Sequence, residues 1–413
     1  MSRYRYWLVF LLFSGAFINS MDRGGLAVAA PVIMKELSLD PVMMGVVLSS
    51  FFWSYFIMNI PAGWMADKYG AKKTLGGSAL VWSVMTAVTG AATNLVHLIA
   101  CRIGVGAGEA AIQPCNVLVT KSNFPTEQRA TVIGLYNAGM RLGLAVVPIL
   151  MAYLIATWNW RISFYVTGGI SILWVILWYL TFREAKSELN TAQSGAAKVS
   201  WVQLLKHRSI IGIVLCKFFQ DYLYNMFITW LPAYLVMERG FTVLKMGWYA
   251  SLPWFVTFLA LPLFGVVSDT LIKRGMTVTK ARKGMIVISQ MIAASVIIAV
   301  YTDNAMIAML FMVLALVFES GSSTILWSVC AEIAPPNTAA SVAGIMNTAG
   351  ALSGIVAPIL TGVLLKLTGN FQQAFLIASV MIVFAALSMW FIVGEVKQIQ
   401  LDANTSEETG PKA

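Results

Sequence analysis

Charge is what this sequence has least of. Only 11% of its 413 residues are Asp, Glu, Lys or Arg, while 59% are hydrophobic. Soluble domains carry about a quarter charged residues, so a chain this poor in charge cannot cover a water-facing surface. Histidine is scarce too: His97 and His207 are the only two, which excludes a histidine-built metal centre. The four cysteines, Cys101, Cys115, Cys216 and Cys330, each sit in an apolar run. Their spacing fits neither a metal site nor a disulfide framework. No G-x-x-x-x-G-K-[ST] run occurs, so the chain has no phosphate loop of its own for hydrolysing ATP. An enzyme is not expected, and no cofactor is implied.

Long apolar runs, by contrast, fill the chain. A membrane-crossing helix needs about 20 apolar residues. The runs fall at 7–34, 42–66, 74–93, 95–121, 130–153, 161–182, 210–236, 245–269, 284–302, 305–330, 339–365 and 371–394. The fold expected is therefore an all-α membrane protein of twelve transmembrane helices in two six-helix bundles, with the lipid bilayer as its partner. Residues 1–182 and 210–394 form the bundles. Between them, 183–209 reads as a polar cytoplasmic linker ending in a short amphipathic piece at 201–205, and 395–413 as a disordered cytoplasmic tail. Arg3 and Arg5 ahead of an apolar run suggest a signal peptide, but the run continues past Asp22 and Arg23 to Met34 without a cleavage pattern. It is read as a retained first span.

Lysine and arginine are unevenly shared between the two sides of this arrangement. Arg3, Arg5, Lys68, Lys72, Lys73, Arg183, Lys206, Lys273, Arg282 and Lys397 fall with many others on one side; Lys35, Arg161, Arg239, Lys245 and Lys366 fall on the other. The side richer in positive charge is cytoplasmic, which places both termini and the linker inside. The net charge of +10 follows from this orientation and needs no nucleic-acid partner.

The halves repeat one another. At an offset of 210, residues 124–150 and 334–360 coincide at ten of 27 positions, including Pro125/Pro335, Gly134/Gly344, Asn137/Asn347 and Pro148/Pro358. Gly63-x-x-x-Asp67 recurs as Gly265-x-x-x-Asp269. Duplicated bundles of this kind bind their ligand between the halves, near the bilayer midplane.

Charges inside the spans are costly and mark function. In residues 101–116, CRIGVGAGEAAIQPCN, Arg102 and Glu109 lie seven residues apart and so share a helix face. Gly104, Gly106 and Gly108 between them let a second helix or a ligand approach the backbone, and Pro114 predicts a kink. Elsewhere Tyr55, Asn137, Asn347, Gln220, Tyr224 and Asn225 offer polar contacts to a ligand, and Lys217–Asp221 is spaced for an i, i+4 pair. Glu319 has no sequence-local partner.

Two levels of family resemblance attach to these motifs. Residues 63–73, GWMADKYGAKK, resemble the loop between spans two and three of the major facilitator superfamily, with Ala71 replacing one basic residue. The resemblance implies a conformational latch at Gly63, Asp67, Lys68 and Gly70. Four further stretches look like the anion:cation symporter branch: MDRGGLAVAAP, RIGVGAGEAAIQP, FITWLPAYL and the helix starts at Pro125 and Pro335. This implies a major facilitator fold, alternating access, and symport of an organic anion with protons across a bacterial inner membrane, by a monomer. By the same resemblance Asp22 and Glu109 are the proton-coupling carboxylates, and Arg23 and Arg102 hold the substrate carboxylate and the charge network around it.

Physical chemistry agrees. Arginine presents a permanently charged fork matched to a carboxylate, and a buried carboxylate beside it exchanges protons according to whether the arginine is occupied. Asp22 and Arg23, being adjacent, project about 100° apart and should pair with span four or five rather than with each other. Where many sugar-acid members carry glutamine in span five, this chain has Met140 followed by Arg141. Arg141 therefore enters either as a substrate-binding residue for a second carboxylate or as a cation that neutralises Glu109 or Asp22, and aromatic or dicarboxylic acids join simple sugar acids as expected ligands. The competing expectation is an exchanger or facilitator of such acids without proton coupling.

Overall fold

The computed structural model describes residues 3–184, 201–335 and 339–400, apart from the side chains at 67, 126–127, 129–131, 201–203 and 339–341. Among the described residues every regular element is a helix. The first half holds α1 (Arg3–Glu36), α2 (Pro41–Thr89), α3 (Leu95–Glu109), α4 (Ile112–Asn123), α5 (Thr126–Thr157) and α6 (Trp160–Thr181). After a short α7 (Trp201–Lys206), the second half holds α8 (Arg208–Met237), α9 (Val243–Lys273) and α10 (Val278–Ala294). A tight turn joins α10 to α11 (Ile298–Tyr301), followed by α12 (Ala305–Ile333), α13 (Ala339–Thr368) and α14 (Gln372–Leu387). Each apolar run read from the sequence lies mainly on helix, the ends of 74–93 and 371–394 running past it. Nine stretches among the described residues are long and apolar enough to cross a membrane. α1, α8 and the second part of α2 fall outside that set; α1 and α8 carry the charges Asp22, Arg23, Lys217 and Asp221, and α2 restarts with Lys72 and Lys73.

Local chemistry explains the breaks. Asp40, Asn94 and Asn159 each accept a backbone N–H at the start of a helix (Met43, His97 and Ile162, at 2.8, 3.0 and 2.8 Å), the usual N-cap bond. The expected kink near Pro114 is a break at Ala110–Ala111; Pro114 has no N–H to give to Ala110, four residues back. Within α2 the chain turns at Gly70 (φ 82°) and restarts as helix. The Glu184 carboxylate caps that restart, accepting the N–H of Ala71 at 2.8 Å and of Lys72 at 2.9 Å. A Cβ on Gly70 would stand 2.8 Å from the same carboxylate, so only glycine fits there.

Of the latch residues, Gly63 faces open space, Lys68 lies over the Trp64 ring at 4.6 Å, and the Asp67 side chain lies outside the described residues. In the second copy of the motif, Asp269 pairs with Arg282 at 3.1 Å, which also holds Glu332 at 3.1 Å. Most of the linker, residues 185–200, and the tail from 401 are likewise outside the description. The beginning of the expected disordered tail is packed instead: Val396 and Ile399 are buried, and Ile399 donates its N–H to Ile333 at 3.0 Å. Two apolar side chains three residues apart find a groove at the end of α12, which gives that segment a reason to order.

Among the described residues the two halves share a core at one end. A single core there mixes α1, α2 and α5 with α8, α9 and α13, including Met44, Val47, Met151, Trp230, Trp254 and Ala357. Ser49 donates to the Ile355 carbonyl at 3.0 Å, and Lys366 pairs with Asp40 at 2.8 Å across the same seam. That pairing, with the Met43 N–H, holds the Asp40 carboxyl below its ordinary range. Toward the opposite end each half keeps its own core, one around Trp82, Trp174 and Trp178, the other around Phe264, Ile325 and Met389.

Candidate functional site

The middle of α1 is buried from Ile18 to Ala30, with only Arg23 partly open. Adjacent helix residues diverge by about 100°, so Asp22 and Arg23 reach different neighbours. Arg23 crosses to α3, where its Nη2 lies 2.9 Å and its Nε 3.1 Å from Glu109 Oε2. Asp22 turns to α6 and accepts the Ser171 hydroxyl at 2.7 Å. Arg23 thus meets span four as expected. Asp22 does not: its partner is on span six, a correction forced by the side of α1 from which it leaves.

Phe51 of α2 is the floor of this cluster. The Arg23 and Arg102 guanidinium groups each lie 4.8 Å from its ring centroid, and Tyr55 stacks on it at 5.5 Å. Arg23 also lies 5.0 Å from the Tyr55 ring. Such cation–π contacts contribute about 0.5–2 kcal/mol, more when desolvated. The two arginines differ in access. Arg23 keeps 17% of its side chain exposed, whereas Arg102 is 5% exposed as a residue. Asp22, Glu109 and the two arginines sum to zero charge, which is how four ionisable groups can be buried together. Glu109 Oε1, Asp22 Oδ1 and Arg102 Nε nonetheless have no hydrogen-bond partner among the described residues.

The glycine triplet has the first of its two expected uses. A Cβ on Gly106 would lie 2.2 Å from the Phe51 carbonyl, and one on Gly108 2.7 Å from the Ser78 carbonyl. α3 therefore packs backbone to backbone on α2, which brings Glu109 within reach of α1.

Across the gap, α8 presents Tyr224, half-buried, with Trp254 edge-on at 5.5 Å. Arg141 of α5 lies over the Tyr224 ring at 5.4 Å and reaches its hydroxyl at 3.3 Å. Arg23, Tyr55, Arg141 and Tyr224 thus come together where the halves face each other. The neighbouring Met140 is not idle: its Sδ accepts Gln113 Nε2 at 3.1 Å.

Of the other expected binding residues, two are buried in the second half and two are exposed. Gln220 is fully buried inside the second half, its Oε1 taking Gln290 Nε2 at 3.2 Å and the Ser322 hydroxyl at 3.3 Å. Asn225 is buried too, donating to Ser353 Oγ at 2.9 Å. Asn137 and Asn347 are exposed. Lys217 and Asp221 form the expected i, i+4 pair at 2.9 Å. Among the described residues no group of three His, Cys, Asp or Glu side chains is arranged for a metal. Ser171 and Phe51 escaped the sequence reading, since a serine or phenylalanine in an apolar run carries no signal of what it touches.

The comparisons agree with this architecture. The family model described as Major Facilitator Superfamily matches residues 12–358 and 280–412. A probable galactarate/D-glucarate transporter of Bacillus subtilis (strain 168) is 33% identical over 426 residues, covering 96% of this chain and 93% of that protein. A D-galactonate transporter of Escherichia coli O6:H1 is 33% identical over 421 residues, covering 96% and 97%. Among solved structures, a bacterial homolog of the human lysosomal transporter Spinster, inward-facing and occupied, superposes with a TM-score of 0.80 at 18% identity, covering 94% and 97%. A D-xylose-proton symporter superposes with a TM-score of 0.77 at 16% identity, covering 95% and 99%. Family match and fold together make the chain a multi-pass membrane protein and a transporter rather than an enzyme: it belongs to the Major Facilitator Superfamily.

Proposed function

We propose that this protein is a proton-coupled symporter that carries a sugar acid, or a related organic carboxylate, across a bacterial inner membrane by alternating access. The observation that carries the reading is the double contact of Arg23 with Glu109. An incoming carboxylate must compete with Glu109 for the Arg23 fork. A proton on Glu109 removes that competitor, so anion and proton bind better together than apart, which is the thermodynamic content of symport. Asp22, held by the Ser171 hydroxyl of α6, is the second proton acceptor of the same network. Arg102, behind Phe51, keeps the cluster neutral.

The lysine and arginine distribution supports twelve spans in two six-helix bundles with both termini cytoplasmic. In that orientation the joined end of the halves is external, and the arrangement faces inward. The protein acts as a monomer, since each chain holds both halves of the site. The relatives named for galactarate, D-glucarate and D-galactonate support a sugar acid as substrate.

Uptake into proteoliposomes tests the proposal. With D-galactonate and galactarate as probes, an imposed inward proton gradient should drive accumulation, and a protonophore should abolish it while leaving counterflow intact. Accumulation insensitive to the protonophore would support the exchanger or facilitator instead.

A further inference from the structure

The buried charges of the two halves can be counted, and the count leaves two groups over. In the first half, Asp22 and Glu109 balance Arg23 and Arg102. In the second, Lys217 Nζ lies 2.9 Å from Asp221 Oδ1 and 3.2 Å from Ser323 Oγ, a complete pair. Arg282, the other buried cation there, is held by Asp269 and Glu332. What remains is Glu319 on α12 and Arg141 on α5. Glu319 is 1% exposed, and among the described residues its carboxyl accepts only the hydroxyl of the adjacent Ser320, at 3.0 Å. No cation lies within ion-pair distance of it among the described residues. The charges that act on it are Asp221 and Lys217 from α8 and Arg141 from α5 across the gap. α10 faces the same polar layer with the uncharged Gln290. Arg141, for its part, reaches a tyrosine hydroxyl and, among the described residues, no carboxylate.

We propose that Glu319 is a proton-binding residue of the second half, and that Arg141 is the cation that meets its carboxylate when the proton leaves. Protonated, Glu319 needs no cation and can sit as it is found. When the proton passes to water in the gap, a carboxylate remains at a depth where an unpaired charge is costly. Lys217 is committed to Asp221. Among the described residues whose charges act on Glu319, Arg141 is the cation without a carboxylate partner, and its 3.3 Å bond to the Tyr224 hydroxyl is single and long beside the bidentate pairing a carboxylate offers. Protonation reverses the step: the proton joins a Glu319 oxygen, the Arg141 contact breaks, and the two halves are released from each other. Proton occupancy and the approach of α5 to α12 are thereby linked. The inference rests on the alternating-access reading above, but not on Asp22 or Glu109 being proton carriers.

The test uses full-length protein in proteoliposomes, with D-galactonate and galactarate as probes. The proton-to-anion ratio is read from the membrane potential at which net uptake reverses. Glu319→Gln should move one proton fewer per anion while counterflow persists. Arg141→Gln should slow counterflow, and the double variant Glu319→Gln/Arg141→Gln should recover part of that loss, because it leaves neither charge alone. An unchanged ratio in Glu319→Gln, or double-variant losses that simply multiply, would overturn the proposal. Should Glu319→Gln not assemble, Glu319→Asp can be compared with wild type by infrared spectroscopy across pH. A protonated-carboxyl band that moves supports the assignment, and identical spectra refute it. Loss of coupling in Glu109→Gln with a wild-type ratio in Glu319→Gln would sink this inference and leave the symport reading intact. Proton-independent movement of both probes by the wild type would sink both.

Discussion

The two halves share a scaffold and divide the chemistry unequally. Pro148 and Pro358, Gly134 and Gly344, and Asn137 and Asn347 stand at matching repeat positions. Yet Arg141 is matched by Ala351, and the second half has no counterpart to the Arg23–Glu109 contact among its described ion pairs. Its interior holds a layer of neutral hydrogen bonds among Gln220, Gln290 and Ser322, beside the closed Lys217–Asp221 pair and the buried carboxyl of Glu319. The difference teaches where binding energy can be altered by a proton. Under the proposed function, charge pairs in the first half respond to protonation and to an incoming anion. Amide and hydroxyl bonds in the second half do not titrate, so they can fix a wall against which a ligand is held.

Substitutions that exchange these roles should break the comparison, and the largest effect belongs to Glu109. Glu109→Gln removes the titrating competitor for Arg23 and should abolish accumulation driven by a proton gradient while counterflow continues; retained gradient-driven uptake would remove Glu109 from coupling. Next come the arginines. Arg23→Lys keeps the charge and loses the fork, so anion binding should weaken about 10- to 100-fold, the equivalent of roughly 1.5–3 kcal/mol for a charged hydrogen bond. Arg102→Lys should cost less affinity and more stability, because Arg102 is buried behind Phe51. Calorimetry paired with thermal unfolding separates the two, and the reverse order would mean the anion sits on Arg102.

Smaller effects test the second half. Gln220→Leu leaves Gln290 and Ser322 without their shared acceptor, a cost of about 1–3 kcal/mol in stability. Its affinity for the probe should be that of the wild type; a selective loss of affinity would put Gln220 in the binding site after all. The smallest effect is expected at the seam. Lys366 and Asp40 are both substantially exposed, and such pairs contribute about 0.2–1 kcal/mol. Lys366→Gln should shift the balance toward the externally open form by a few-fold at most, measurable as faster labelling of a cysteine placed at Ser49. The sign of its pH dependence is fixed by Asp40, whose carboxyl is held below its ordinary range: the seam is firm at neutral pH and loosens as acid protonates Asp40.

Much of the architecture could be read from the chain because lipid leaves few options. A backbone crossing a bilayer must satisfy its own hydrogen bonds, so each apolar run of sufficient length becomes a helix. Local chemistry was equally legible: Pro114 marks the break before α4, and the i, i+4 spacing gives Lys217–Asp221. What could not be read are contacts made by folding. Arg23 and Glu109 are 86 residues apart, and Asp22 and Ser171 are 149 apart. The glycines of α3 say that something packs closely, without saying that it is α2. Gln220 looks in sequence like a residue aimed at a ligand; only folding places Gln290 and Ser322 beside it, where both donate to its Oε1. The packed start of the tail, at Val396 and Ile399, depends on a groove that no local pattern describes.

The central claim is that Glu109 and the transported anion compete for Arg23. It is tested most directly by the affinity of purified protein for D-galactonate or galactarate, measured by calorimetry across pH in wild type and in Glu109→Gln. A proton on Glu109 frees Arg23, so wild-type affinity should fall as pH rises, with proton uptake accompanying binding, while Glu109→Gln should bind tightly with a markedly flatter pH dependence. Parallel pH dependence in the two proteins would contradict the account.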